Sequence, residues 1–91
     1  MRVEFVFYPH HVPQAPRVSV AGDFNGWDVT AMPMMRAPDG SWRATIDLPP
    51  GEYQYKFYVD GTWWNDPHDH KRLPNPWGSE NSVIIVQEEG P

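Results

Sequence analysis

Hydrophobic and polar residues alternate along most of this chain with a period of two, and glycine and proline cut the alternation into short pieces. That is the period of a strand, whose successive side chains point to opposite faces, and not the 3.6-residue period of a helix. In the first strand Val3, Phe5 and Phe7 share a face, and Pro9 with the Pro13 to Pro16 stretch ends it, because proline cannot donate to a ladder. A second strand at 17–21 turns Val18 and Val20 inward. Residues 22–36 hold Gly22, Asn25-Gly26 and Pro33 without a sustained period and read as a long ordered loop.

Asp39-Gly40 is a tight-turn signal into a third strand at 41–48, where Trp42, Ala44, Ile46 and Leu48 face the core. Pro49-Pro50-Gly51 turns the chain into a fourth strand at 52–60. It sets Tyr53, Tyr55, Phe57 and Val59 on one side and Gln54, Lys56 and Tyr58 on the other. Asp60-Gly61 leads to a brief strand at 62–64, and 65–80 reads as a loop rich in Pro, His and Asp. The apolar run Val83-Ile84-Ile85-Val86 suits a last strand at 82–87 buried on both sides, and 88–91 are expected to fray. Six to seven short strands with regular turn signals predict an all-β fold, an immunoglobulin-like β-sandwich without the cysteine pair of antibody domains. Residues 1–91 are expected to form a single domain, since this length has room for one core.

Composition narrows the function. At 40% hydrophobic and 21% charged the chain belongs to the folded class. A net charge of −5 opposes nucleic-acid phosphates and anionic membrane surfaces, so neither is an expected partner and a neutral ligand fits better. Having no cysteine, the chain lacks disulfides, thiolate nucleophiles and thiolate metal sites, which agrees with a reducing compartment. The start of the chain carries no apolar stretch of signal-peptide length, and the expected location is cytoplasmic.

The five tryptophans require a separate account. Trp42 sits on an alternating strand and reads as packing, as does Trp64, which must face away from Trp63 if both share a strand. Trp27, Trp63, Trp64 and Trp77 lie in or beside polar loops, and some of these rings are expected to face water. A bare indole suits a pyranose ring, whose C–H face is weakly apolar while its hydroxyls project from the rim. Stacking of this kind is worth about 1–3 kcal/mol per ring, and two such platforms with a few hydrogen bonds give a Kd roughly between micromolar and millimolar. Lys56 and Asn81 are the natural donors to the rim.

Four motifs in order carry a resemblance: Gly22-Asp23-Phe24-Asn25-Gly26-Trp27; the segment from Leu48-Pro49-Pro50-Gly51 through Lys56 to Thr62-Trp63; Asp66-Pro67; and Trp77-Gly78-Ser79-Glu80-Asn81-Ser82-Val83-Ile84. From about residue 17 to 87 the chain resembles the family 48 carbohydrate-binding modules. That family includes the glycogen-binding domain of the AMP-activated protein kinase β subunit and the early-set domains of branching and debranching enzymes. The resemblance implies a non-catalytic module, without cofactor or metal, that holds α-glucans such as glycogen, starch or malto-oligosaccharides. It makes Trp27 and Trp63 stacking platforms and Lys56 and Asn81 partners of glucose hydroxyls. Ser79 stands where the kinase-subunit domains have threonine and preserves the hydroxyl. Trp77 stands where they have leucine, and either widens the stacking surface or fills the groove.

Competing readings are a module that docks to a glycogen- or starch-metabolising enzyme with sugar binding weak or lost, and a freestanding hydrolase. Asp23, Asp28, Asp60, Asp66 and Asp69 would supply the hydrolase's carboxylates, but a thin sandwich rarely supplies the cleft. His68-Asp69-His70 with His10-His11 invites a metal reading, but lacks the fourth ligand and supporting shell of a built site.

Overall fold

The computed structural model describes residues 1–8 and 17–87, so the expectations for Pro9 to Pro16, His10-His11 among them, and for 88–91 fall outside the described residues. The strands are β1 (Arg2–Phe7), β2 (Val18–Gly22), β3 (Met35–Arg36), β4 (Trp42–Asp47), β5 (Gly51–Val59), β6 (Thr62–Trp64), β7 (Lys71–Pro74) and β8 (Glu80–Val86), with a 3-10 turn at Asp23–Asn25. They form two antiparallel sheets, one ordered β1-β4-β3 and the other β2-β5-β8-β7. The short β6 continues the edge of β5 where β8 leaves off.

The period-two residues meet where the sheets face each other. Phe5 and Phe7 of β1 touch Tyr55 and Phe57 of β5 with ring centroids 4.8 and 5.3 Å apart, tilted and edge-on as aromatic quadrupoles prefer. Val3, Val18, Val20, Leu48, Val59 and Val86 complete the buried cluster, and Trp42, Ala44 and Ile46 pack against it. Trp64 does so too, edge-on to Phe7 at 6.2 Å, so both tryptophans read as packing do pack. The result is the β-sandwich that the alternation implies.

Three expectations change. There are eight strands among the described residues, not six or seven, because β3 and β7 arise in segments read as loops. β7 pairs Lys71 with Val83 and Leu73 with Asn81, and Lys71 crosses to Glu52 at 2.7 Å. No alternation announces it, and Pro74 is tolerated because β7 lies at the sheet edge. The third change is in β8: Ile85 is 53% exposed, so this strand is not buried on both sides. Only one face of its sheet has a partner sheet, and Ile85 looks out from the other beside Glu52.

Candidate functional site

That outward face of the larger sheet is where the polar half of β5 emerges. Lys56 and Tyr58 alternate with Tyr55, Phe57 and Val59, and register places Trp63 of β6 opposite Tyr58. Asn81 precedes the inward Ser82 on β8 and so shares the outer face. Two connections rise around this patch: the segment after β2 brings Trp27, and the β7 to β8 turn brings Asn75, Pro76, Trp77 and Ser79. Together with Lys56, Trp63 and Asn81 they line a groove of about 670 Å³.

Local chemistry fixes Trp27 in place. Asn25 accepts the Gly22 amide at 3.0 Å and donates to the Val20 carbonyl at 3.1 Å, which folds the chain back at the end of β2. Gly26 and Trp27 then both take left-handed backbone, φ 67° and 60°. Such a conformation is ordinary for glycine and uncommon for a bulky residue. The Trp27 amide donates to the Gly22 carbonyl at 3.0 Å, and its indole Nε1 donates to Asp23 Oδ1 at 3.1 Å. The other Asp23 oxygen accepts the Gln54 amide at 2.8 Å, one residue past the last β2 to β5 pair, where the ladder would otherwise leave a donor unmet. One carboxylate thus ties the loop to the sheet and braces the ring.

The rings form a continuous series. Trp27 and Trp63 lie 6.2 Å apart with planes at 63°, and Trp63 lies 4.8 Å from Tyr58. Trp63 is 43% exposed and Trp77 88%, while Trp27, braced by Asp23 and set against Trp63, is half-buried and does not stand free in water. Lys56 differs from the expected rim donor: it points away from the core, yet is only 7% exposed, because the groove walls rise over it. Its Nζ donates to Ser79 Oγ at 3.2 Å, and among the described residues it has no ion pair. The groove floor therefore holds an ammonium group whose remaining hydrogens are available to a ligand.

Asn75, which sequence reasoning missed, organises the far wall. Its Oδ1 accepts the amides of Trp77 at 3.0 Å and Ser79 at 3.1 Å. Its Nδ2 donates to Ser79 Oγ at 2.8 Å and Asn81 Oδ1 at 3.0 Å. Asn81 in turn donates to Gln54 Oε1 at 3.1 Å, so the side chain read as a rim donor also holds the wall together. Ser79 Oγ, accepting from Lys56 and Asn75, keeps its own hydrogen to donate. The available signal for Asn75 was the Asn-Pro pair two residues before a glycine, a turn-forming asparagine. Nothing in the sequence singled out Asp23 as the brace.

All six residues singled out from the sequence, Trp27, Lys56, Trp63, Trp77, Ser79 and Asn81, therefore come together around one groove. Among the described residues no group of three or more His, Cys, Asp or Glu side chains is placed to hold a metal ion. His68 stands edge-on to Tyr8, and Asp69 pairs with Arg72 at 2.8 Å. Asp66 accepts the Tyr55 hydroxyl at 2.6 Å beneath the sheet. Burial first, and that carboxylate second, push the Tyr55 phenol far above its ordinary value. The carboxylates that depart from the ordinary value go down, not up: Asp28 is lowered by the Thr30 hydroxyl and amide, and Asp39 by those of Ser41. No helix of the described residues is long and apolar enough to cross a membrane.

The family described as the glycogen recognition site of AMP-activated protein kinase matches residues 6–91. The chain is similar to the 5'-AMP-activated protein kinase subunit beta-1 of Rattus norvegicus, 38% identical over 71 residues, a match covering 78% of this chain and 25% of that protein. The beta-1 subunit of Bos taurus is 39% identical and the beta-2 subunit of Homo sapiens 38%, over the same lengths. The chain thus spans 25% of the length of the curated relatives it matches.

Proposed function

From the premise that this chain belongs to the family of the glycogen recognition site of AMP-activated protein kinase, we propose that it binds α-glucan chains non-catalytically in the groove between Trp27, Trp63 and Trp77. The observation that supports this most is that the half-buried Trp27 and the exposed Trp63 line one groove together with Lys56 and Ser79. The two indoles cover C–H faces of neighbouring glucose units, and their 63° angle suits a chain that turns between one ring and the next. A flat, straight ribbon would cover one ring and leave the other wet. Lys56 Nζ and the Ser79 hydroxyl donate to glucose oxygens, and the neutral ligand accords with the acidic chain.

Trp77 widens the stacking surface: at 88% exposure its ring stands beside the groove without filling it. The module carries out no reaction of its own, a reading supported by Asp28 and Asp39, whose carboxyls are lowered by their hydrogen bonds and not raised as a general acid's would be. That the relatives are kinase subunits supports a role in bringing an enzyme partner to the polysaccharide.

Titration with maltoheptaose tests the proposal through tryptophan fluorescence and calorimetry. Binding with a Kd between about 1 μM and 1 mM is expected, weakened roughly tenfold or more by Trp63→Ala. No response at millimolar sugar, in a protein whose melting is cooperative, would overturn it.

A further inference from the structure

Trp63 lines the groove and lies 4.8 Å from Tyr58, whose ring in turn lines a second depression of about 580 Å³. Arg17, Ser19, Thr30, Trp42, Tyr58 and Asp60 contribute to its lining. The two hollows are connected through the chain as well: Val29 and Thr30 follow Trp27 by two and three residues, and Asp60-Gly61 is the turn into β6 and Trp63.

The chemistry of this second hollow is that of a site for a neutral polyol. The Arg17 and Asp60 backbones are bonded to each other, Asp60 N to Arg17 O at 3.1 Å, but neither side chain has a hydrogen bond or ion pair among the described residues. A guanidinium and a carboxylate in one hollow cancel in net charge, which favours neither an anion nor a cation. Together with the Tyr58 hydroxyl they offer the mixture of donors and acceptors that vicinal hydroxyls need. Trp42 adds an apolar surface. Asp60 is held at φ 48°, left-handed backbone, so the turn fixes where its exposed side chain starts.

We propose that the glucan continues from the first groove over Trp63 and Tyr58 into this second hollow, where Arg17 and Asp60 bind hydroxyls of additional glucose units. Chain length is then a determinant of affinity: a short oligosaccharide is satisfied by the first groove, and a long one uses both. This inference rests on the glucan reading of the first groove.

Maltotriose and a malto-oligosaccharide of about ten units are titrated by calorimetry into the 91-residue chain and into Arg17→Ala and Asp60→Asn, with thermal melts of each. Asparagine tolerates left-handed backbone, so the second variant keeps the turn. The long chain is expected to bind about tenfold more tightly than maltotriose. Each variant should remove most of that difference and leave the maltotriose affinity unchanged. Equal affinity for the two ligands in the unaltered chain, or variants that keep the length preference at full size, would overturn the second hollow alone. If neither sugar binds, the glucan reading itself fails and this inference falls with it.

Discussion

Replacing Asn75 by alanine removes a side chain that touches neither the core nor, by its position, the stacking faces, yet it should disable the far wall of the groove. Four hydrogen bonds depart together: two accepted from the Trp77 and Ser79 amides, two donated to Ser79 Oγ and Asn81 Oδ1. Partly exposed neutral bonds contribute near the low end of about 0.5–1.5 kcal/mol each, so the turn loses about 2 kcal/mol of local order. The global cost is smaller, about 1 kcal/mol, because β7 and β8 stay paired below the tip and only the tip is released. Losing Trp77 from its place removes one stacking contact, about 1–3 kcal/mol, and weakens sugar binding roughly 5- to 150-fold. Asn75→Asp supplies the control: it keeps the acceptor for the two amides and loses both donors, so its turn should stay ordered. Amide exchange at Trp77 and Ser79, a melting curve and a maltoheptaose titration on each variant separate the steps. Fast exchange at an unchanged Kd in Asn75→Ala would show that an ordered tip contributes nothing to binding. Slow exchange in that variant would refute the hydrogen-bond account of the turn.

Other outcomes follow from the same geometry. Tyr55→Phe strips Asp66 of its buried hydroxyl donor and should cost about 2 kcal/mol, read as a drop in Tm of roughly 8–16 °C. Because the folded Tyr55 phenol is raised, its stabilisation is complete well below 10.0, the ordinary value at which an unfolded tyrosine is half ionised, and is lost as pH rises through that value toward the raised folded one; Tyr55→Phe should flatten that alkaline limb of an unfolding titration. Asp28 and Asp39 give the opposite sign: their contribution is present above 3.8 and disappears as pH falls through their lowered values, so Asp39→Asn should make stability less steep on the acid side. Gly22→Ala should destabilise by about 2–4 kcal/mol, since a Cβ there would lie 2.5 Å from the Gln54 carbonyl oxygen and 2.9 Å from Tyr55 Cβ; a denaturant melt near that of the unaltered chain would show that the strands can separate to admit it.

The elements legible in the sequence were those whose side chains alternate because one face meets a partner sheet. Val3, Phe5 and Phe7, or Tyr55, Phe57 and Val59, carry their orientation in their spacing. β7 was not legible because an edge strand on an open face needs no apolar repeat: Lys71-Arg72-Leu73-Pro74 is held by ladder bonds to β8 and an ion pair, neither of which leaves a periodic trace. β8 misled in the other direction, since Ile85 is apolar without being covered. In the site, tryptophans in polar loops signalled themselves by being out of pattern. Asn75 did not, because an asparagine in a proline-rich turn looks the same whether it bonds to water or to four neighbours. The burial of Lys56 was likewise invisible, since it depends on how high the surrounding loops stand and not on the strand that carries it.

The left-handed backbone at Gly26 and Trp27, braced by Asp23, has a cost when no sugar is present. The Trp27 indole is held half-buried against Trp63 by that backbone and its bond to Asp23, which leaves Trp63 partly exposed and Trp77, on the other connection, nearly bare. The exposed rings of Trp63 and Trp77 give the molecule an adhesive surface that another copy can meet. Concentrated protein should self-associate through these rings, and dissolved maltodextrin should act on it as a dispersant.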